Sequence, residues 1–133
     1  MPVRVEVVRR VADARGWLCE PLNAAELAGQ KNIHVAVTKP GHLRGNHYHR
    51  FTTEIVTVTG PALVRVREKG CDTDYTVPAD EAHRFTFPPG VAHAILPTGT
   101  EPGLAIAFTD RVHDPDHPDT VREILIPPPV AGT

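Results

Sequence analysis

Apolar residues fall at every second position in Val3-Arg4-Val5-Glu6-Val7, Ile33-His34-Val35-Ala36-Val37 and Leu63-Val64-Arg65-Val66-Arg67, and no other property of this 133-residue chain narrows its fold so far. A strand sends successive side chains to opposite faces, so the pattern predicts half-buried β-structure. Further short β-rich runs cover 54–59, 74–77, 84–87, 104–109 and 122–126, separated by Gly, Pro and Asp clusters. Many short strands with turns at close intervals predict an all-β sandwich or barrel. One segment predicts a helical turn or two: Asn23 can cap it, Glu26 stands three residues on as in a capping box, and Gly29 can stop it. Pro127-Pro128-Pro129 cannot donate to a sheet ladder, so a single domain over 1–126 followed by a flexible tail over 127–133 is expected.

Fourteen Lys+Arg against 16 Asp+Glu leave a net charge of −2, with no long block of one sign. Nucleic acid and a bilayer surface are therefore not expected partners. No apolar run approaches the roughly 20 residues that span a bilayer, and Met1 to Glu6 lack the core of a signal peptide, so a cytoplasmic location is expected. Cys19 and Cys71 read as inert packing residues. The unusual count is eight histidines, four of them between His34 and His49.

His47 and His49, two apart, share one face of a strand about 7 Å along the chain, a spacing that suits two ligands of one metal. Glu54 has the opposite parity and joins them only if Arg50 to Thr53 turn or bulge. His93 follows Pro88-Pro89-Gly90, a tight turn able to deliver an imidazole from a distant strand. Three neutral histidines and a carboxylate accept zinc, iron, nickel, manganese or copper, and the set does not choose among them; zinc is the ion expected first.

The order of these residues resembles the cupin superfamily. Gly41, His47, His49, Glu54 and Gly60 follow its first motif, and Pro88, Gly90 and His93 its second. Five residues rather than six separate Glu54 from Gly60, and Pro97 stands where many cupins have Asn. The resemblance implies a double-stranded β-helix, a small jelly-roll barrel holding the metal on His47, His49, Glu54 and His93. A narrower likeness runs through Gly29-Gln30, Lys39-Pro40-Gly41, Arg44-Gly45-Asn46-His47-Tyr48-His49, Glu54, Val64 to Arg67, Pro89-Gly90 with His93, and Pro118-Asp119-Thr120. These residues resemble the C-terminal cupin domain of capsular-polysaccharide bifunctional enzymes that act on UDP-linked 4-keto-6-deoxy aminosugars. Leu43-Arg44-Gly45 with His47-Tyr48 also resembles dTDP-keto-deoxysugar 3,5-epimerases and, more loosely, 3,4-ketoisomerases. The capsular domains usually carry His-x-Lys after the H-x-H, where this chain has Arg50-Phe51-Thr52, and no stretch here resembles their separate reductase domain.

The resemblance implies a sugar-nucleotide epimerase or isomerase working through an enolate beside the keto group, with a divalent metal as Lewis acid and a base near the C–H. His34 is the candidate base, because its strand leaves His34, Ala36 and Thr38 on the face opposite the large apolar residues; the same placement would serve a hydrogen bond across the barrel. Tyr75 and His83 are further candidates. Arg44, Arg65 and Arg67 are candidates for holding the diphosphate. A metal-dependent dioxygenase is the second reading, set back by 5% aromatics and by Ala36 and Thr38 where an apolar vault would be needed. A non-catalytic sugar- or metal-binding cupin is the third. By analogy with cupins of this size a homodimer is expected.

Overall fold

Residues 2–129 are described by a computed structural model. Along the chain run β1 (Arg4–Val8), β2 (Arg10–Asp13), β3 (Gly16–Cys19), α1 (Ala24–Leu27), β4 (Asn32–Thr38), β5 (Arg44–His49), β6 (Glu54–Thr59), β7 (Ala62–Glu68), β8 (Cys71–Val77), β9 (Ala82–Phe87), β10 (Ala92–Pro97), β11 (Gly103–Thr109) and β12 (Thr120–Arg122). They form two five-stranded antiparallel sheets, β1-β9-β6-β11-β4 and β12-β5-β10-β7-β8, plus the small β2-β3 hairpin. From β4 onward the chain changes sheet at every step except the β7–β8 hairpin. That repeated crossing is a double-stranded β-helix.

Period two decides what lies between the sheets. On β6, Val56 and Val58 point inward with Glu54, while Ile55 turns to the outer face and packs with Leu22 and Phe108. Val64 and Val66 of β7 and Phe85 and Phe87 of β9 complete the interior, each at most 1% exposed. The short helix obeys its cap: Asn23 Oδ1 accepts the Glu26 N–H at 2.8 Å, and Asn23 Nδ2 donates to the Glu26 carboxylate at 2.6 Å. Among the described residues no helix is long and apolar enough to cross a membrane.

Three stretches depart from the sequence reading, the first being β10 (Ala92–Pro97), which no predicted run covers although His93 was placed after its turn. The strand expected over 122–126 ends at Arg122, because Asn46 captures the backbone beyond it: its Oδ1 accepts from Leu125 N at 3.0 Å and Ile126 N at 3.1 Å, and its Nδ2 donates to Ile126 O at 2.8 Å. Leu125 and Ile126 then pack on Ala92 and Ala94. The β2-β3 hairpin also went unforeseen, although Gly16, at φ +131°, does mark its turn. Pro127 to Pro129 are exposed and outside any strand; the remainder of the expected tail, 130–133, lies outside the described residues.

One irregularity sets the inner face of β5. Gly45 lies opposite Ala94 and His47 opposite His93, so Asn46 is an extra, bulged residue. Gly45 (φ +93°) and Asn46 (φ +56°) both occupy the left-handed region. A Cβ on Gly45 would meet His93 O at 2.6 Å, so β5 can press on β10 only through a glycine here. Gly41 also has a positive φ, +83°, but faces open space. Gly45→Ala is expected to destabilise the chain by about 2–3 kcal/mol or more and Gly41→Ala by about 1 kcal/mol. Thermal denaturation, at about 3–5 °C per kcal/mol for a chain this size, reads the difference. Equal shifts for the two variants would show that the close approach to His93 contributes nothing.

Candidate metal centre

His47 and His49 reach the interior from β5, His93 from β10 in the same sheet, and Glu54 from β6 in the opposite sheet. The centroids of His47 and His93 are 4.9 Å apart, those of His47 and His49 5.0 Å, and those of His49 and His93 6.3 Å. One donor atom each of His47, Glu54 and His93 lies within 4.8 Å of the others. Glu54 Oε1 is 3.1 Å from His93 Nε2, and Oε2 is 3.4 Å from His49 Nε2. His93 is 1% exposed and its ring stacks on Phe87 at 3.9 Å, while its Nδ1 faces Val91 O at 3.2 Å. That leaves Nε2 as the atom directed at the cluster.

Burial alone would raise the Glu54 pKa, but the imidazoles of His49 and His93 beside its two carboxylate oxygens hold it far below the carboxylate range. His47 is pushed down to about 4, chiefly by burial and then by His93. The Glu54 carboxylate raises the pKa of His49 against the opposing pull of burial. His49 Nε2 is a buried nitrogen with no hydrogen-bond partner among the described residues, since the nearby carboxylate oxygen lacks hydrogen-bond geometry. An ionised carboxylate among three imidazoles, one of them unsatisfied, is a donor set that fits a divalent cation.

The turn after His49 is tied to the C-terminal segment. Asp119 accepts from Phe51 N at 2.9 Å, Thr52 N at 3.0 Å and Thr52 Oγ1 at 2.5 Å, and its Oδ2 lies 3.8 Å from His49 Nδ1. Thr53 N donates to Asp110 Oδ1 at 3.0 Å. These bonds make the turn that brings Glu54, at the opposite parity, onto the face of His49. Asp119 was visible in the sequence only within a motif likeness, because its role depends on a contact 67 residues away.

A cavity of about 890 Å³ opens over the cluster, with His34, His47, His49 and Glu54 on its inner wall and Arg50, Phe51, Arg111, His113 and Asp119 among its outer lining. His34 therefore stands where strand parity put it, while Ile33, Val35 and Val37 face outward, 57–62% exposed. The other candidates lie elsewhere. Tyr75 packs against Phe85, ring to ring at 5.7 Å, two further stacked rings away from His93. His83 lies 3.1 Å from Glu81 and does not line the cavity. Val64 and Val66 take the inside of β7, so Arg65 and Arg67 point out and pair across β8 with Asp74 and Asp72, both at 2.7 Å. Arg44 donates to Thr38 Oγ1 at 3.0 Å and Val37 O at 3.1 Å, bracing β5 against β4. None of these three arginines lines the cavity.

The two β5 histidines should titrate in opposite senses in metal-free protein. His47, with its folded pKa depressed, contributes stability that is present above its ordinary pKa near 6.5 and is lost as pH falls towards 4. His49, with its folded pKa raised, contributes stability that is fully present below pH about 6.5 and is lost as pH rises through the folded value. Histidine NMR titration in the presence of a chelator, with His47→Gln and His49→Gln as assignments, checks this. Two resonances titrating together near 6.5 would contradict the arrangement.

Jelly-roll barrels that bear an H-x-H pair, a glutamate and a later histidine on their inner walls are cupins, and this chain is one. It belongs to the polysaccharide biosynthesis C-terminal domain family, whose model matches residues 11–121. Over 112 residues it is 30% identical to the UDP-2-acetamido-2,6-beta-L-arabino-hexul-4-ose reductase of Pseudomonas aeruginosa, covering 82% of this chain and 29% of that protein. The chain thus spans about three-tenths of that relative's length. The capsular polysaccharide assembling protein CapF from Staphylococcus aureus superposes with a TM-score of 0.65 at 26% identity, covering 87% of this chain and 31% of that one. A dTDP sugar isomerase from Desulfovibrio desulfuricans G20 superposes at 0.76 over 92% of this chain and 83% of that one; at 20% identity that likeness is one of fold.

Proposed function

We propose that this cupin epimerises or isomerises a nucleotide-linked 4-keto-deoxysugar at a carbon beside the keto group. The observation that carries the reading is the position of His34 on the wall of the cavity that His47, His49 and Glu54 also line, with His93 buried behind them against Glu54. The names of a relative and a fold neighbour, a UDP-hexul-4-ose reductase and a dTDP sugar isomerase, support the substrate class.

His47, His49, Glu54 and His93 would hold a divalent cation, zinc first, which when bound supplies a Lewis acid for the keto oxygen. The rest is done by the chain. His34 takes the proton from the carbon next to the ketone and, in epimerisation or isomerisation, the proton returns to another face or carbon. Asn32 and Thr109, paired two residues along β4 and β11 from the His34–Ala107 pair, line the cavity beside His34. Asp119, facing His49 Nδ1 and bonded to the 51–52 turn, keeps the ring and the turn in place. The many polar side chains lining the cavity, Arg50, Arg111, His113 and Asp119 among them, suit a sugar nucleotide better than the apolar substrate of a dioxygenase.

Incubation of the zinc-loaded chain with UDP- and dTDP-4-keto-6-deoxy sugars in D2O is expected to incorporate deuterium at carbon 3 or 5, followed by NMR. His34→Gln should lower the exchange rate about 10²–10⁴-fold without loss of metal, and His47→Ala/His49→Ala should abolish both. No exchange by wild-type protein with metal bound would overturn the reading. Asp119→Ala is expected to weaken zinc binding about 10–100-fold in chelator competition, with partial recovery in Asp119→Asn. Unchanged affinity in both variants would reduce Asp119 to a tie of the loop.

A further inference from the structure

We propose that the outer end of the cavity, lined by Arg50, Phe51 and Arg111, holds the nucleoside diphosphate end of the substrate: the guanidinium groups take the phosphates and the exposed Phe51 ring stacks the base. The assignment rests on the sugar-nucleotide reading above and goes beyond it by naming residues that the motif likeness did not.

A diphosphate needs donors that are not already used. Arg44, Arg65 and Arg67 are each committed to acceptors within the barrel or on its outer face. Among the described residues the side chains of Arg50 and Arg111 make neither a hydrogen bond nor an ion pair, yet both line the cavity. Among the described residues no carboxylate pairs with either, Asp114 and Asp119 of the cavity lining being bonded elsewhere. Asp119 accepts from Phe51 and Thr52, Asp110 from Thr53, and Asp114 from Asp116 N and His117 Nδ1. Two guanidinium forks without acceptors, beside a cavity with room for a ligand, form a site for a bidentate anion.

Both arginines stand on anchored backbone. Arg50 N donates to Asp119 O at 3.0 Å, and the carbonyl of Arg111 accepts from Thr109 Oγ1 at 2.9 Å. The backbone that carries the two cations is thus held before any ligand arrives, which confines the ordering cost of binding to the side chains. Phe51 is 63% exposed, a large aromatic surface with no role in the core, and the Arg111 guanidinium lies 5.5 Å from its centroid. An exposed ring flanked by a cation stacks a nucleobase without selecting its sequence of hydrogen bonds. The same 50–52 turn carries His49 at one end and Glu54 at the other, so the handle and the reacting centre are held by a single loop.

Isothermal titration of the full chain with UDP, dTDP and inorganic pyrophosphate tests the assignment, using wild type, Arg50→Gln/Arg111→Gln and Phe51→Ala. All three ligands are expected to bind wild type, and the double Gln variant to weaken each by about a hundredfold. Phe51→Ala should weaken UDP and dTDP about tenfold and leave pyrophosphate unchanged. A thermal melt unchanged from wild type shows that the exposed substitutions leave the fold intact. Wild type that binds none of the three, or a double variant that binds UDP and dTDP as wild type does, overturns the proposal; equal loss of pyrophosphate and nucleotide in Phe51→Ala removes the stacking part. The two readings also fail separately. Deuterium exchange that continues in the double variant with unchanged KM overturns the outer assignment and leaves the chemistry, whereas Arg-dependent UDP binding by a wild type that catalyses no exchange upholds the site and overturns the chemistry.

Discussion

The ionised carboxylate of Glu54, buried between the two sheets, is the constraint around which the rest is arranged. Moving a carboxylate out of water is costly unless it is paired and hydrogen-bonded. Here the partners are His93 and His49, both from the sheet opposite, so the group that would otherwise weaken the interior joins its two layers. The apolar residues next to it on β6, Val56 and Val58, pack an ordinary core a few ångströms away. The barrel is therefore divided along its length: an apolar half filled by Val and Phe, and a polar half that closes on a donor cluster. The stacked rings of Phe85, Phe87 and His93 mark the passage from one to the other.

Keeping three imidazoles and a carboxylate convergent takes support from outside the cluster. The bulge at Gly45 and Asn46 adjusts β5 so that His47 faces His93, and the buried Asn46 amide fastens that bulge to the chain's final described segment. Asp119 does the same for the turn on the other side of His49. Both supports come from residues beyond 118, so the C-terminal stretch acts as a strap along the strand bearing two of the four donor residues. Its strand β12, only three residues long, lies directly opposite them, with Thr120 across from His49 and Arg122 across from His47.

Much of this was legible before any coordinates. Alternation and β-rich composition located most of the strands, with β6 placed to the residue, but β10 was foreseen only as whatever carries His93 and β12 was set two residues late. His47 and His49 share a face because a strand has period two, and Glu54 joins them through the turn its parity required. The cavity position of His34 followed from the same rule. The arginines did not follow. Arg65 and Arg67 obey parity as strictly as Val64 and Val66, but only the pairing with β8 reveals that their face is the outer one and that Asp74 and Asp72 await them there. Tyr75 was misplaced for a related reason: a strand residue can point inward and still lie at the apolar end of the barrel.

The amino-acid sequence by itself determined the local alternation, the turns, the cap of the one helix and the residue types able to act as metal donors, since each depends on chemistry within a few positions. Tertiary structure decided which face of each strand is inside, which cations find no acceptor among the described residues, and how Asn46 and Asp119 reach partners 67 to 80 residues distant. Those outcomes depend on strand order and register, and contacts between distant segments leave no periodic trace in the chain.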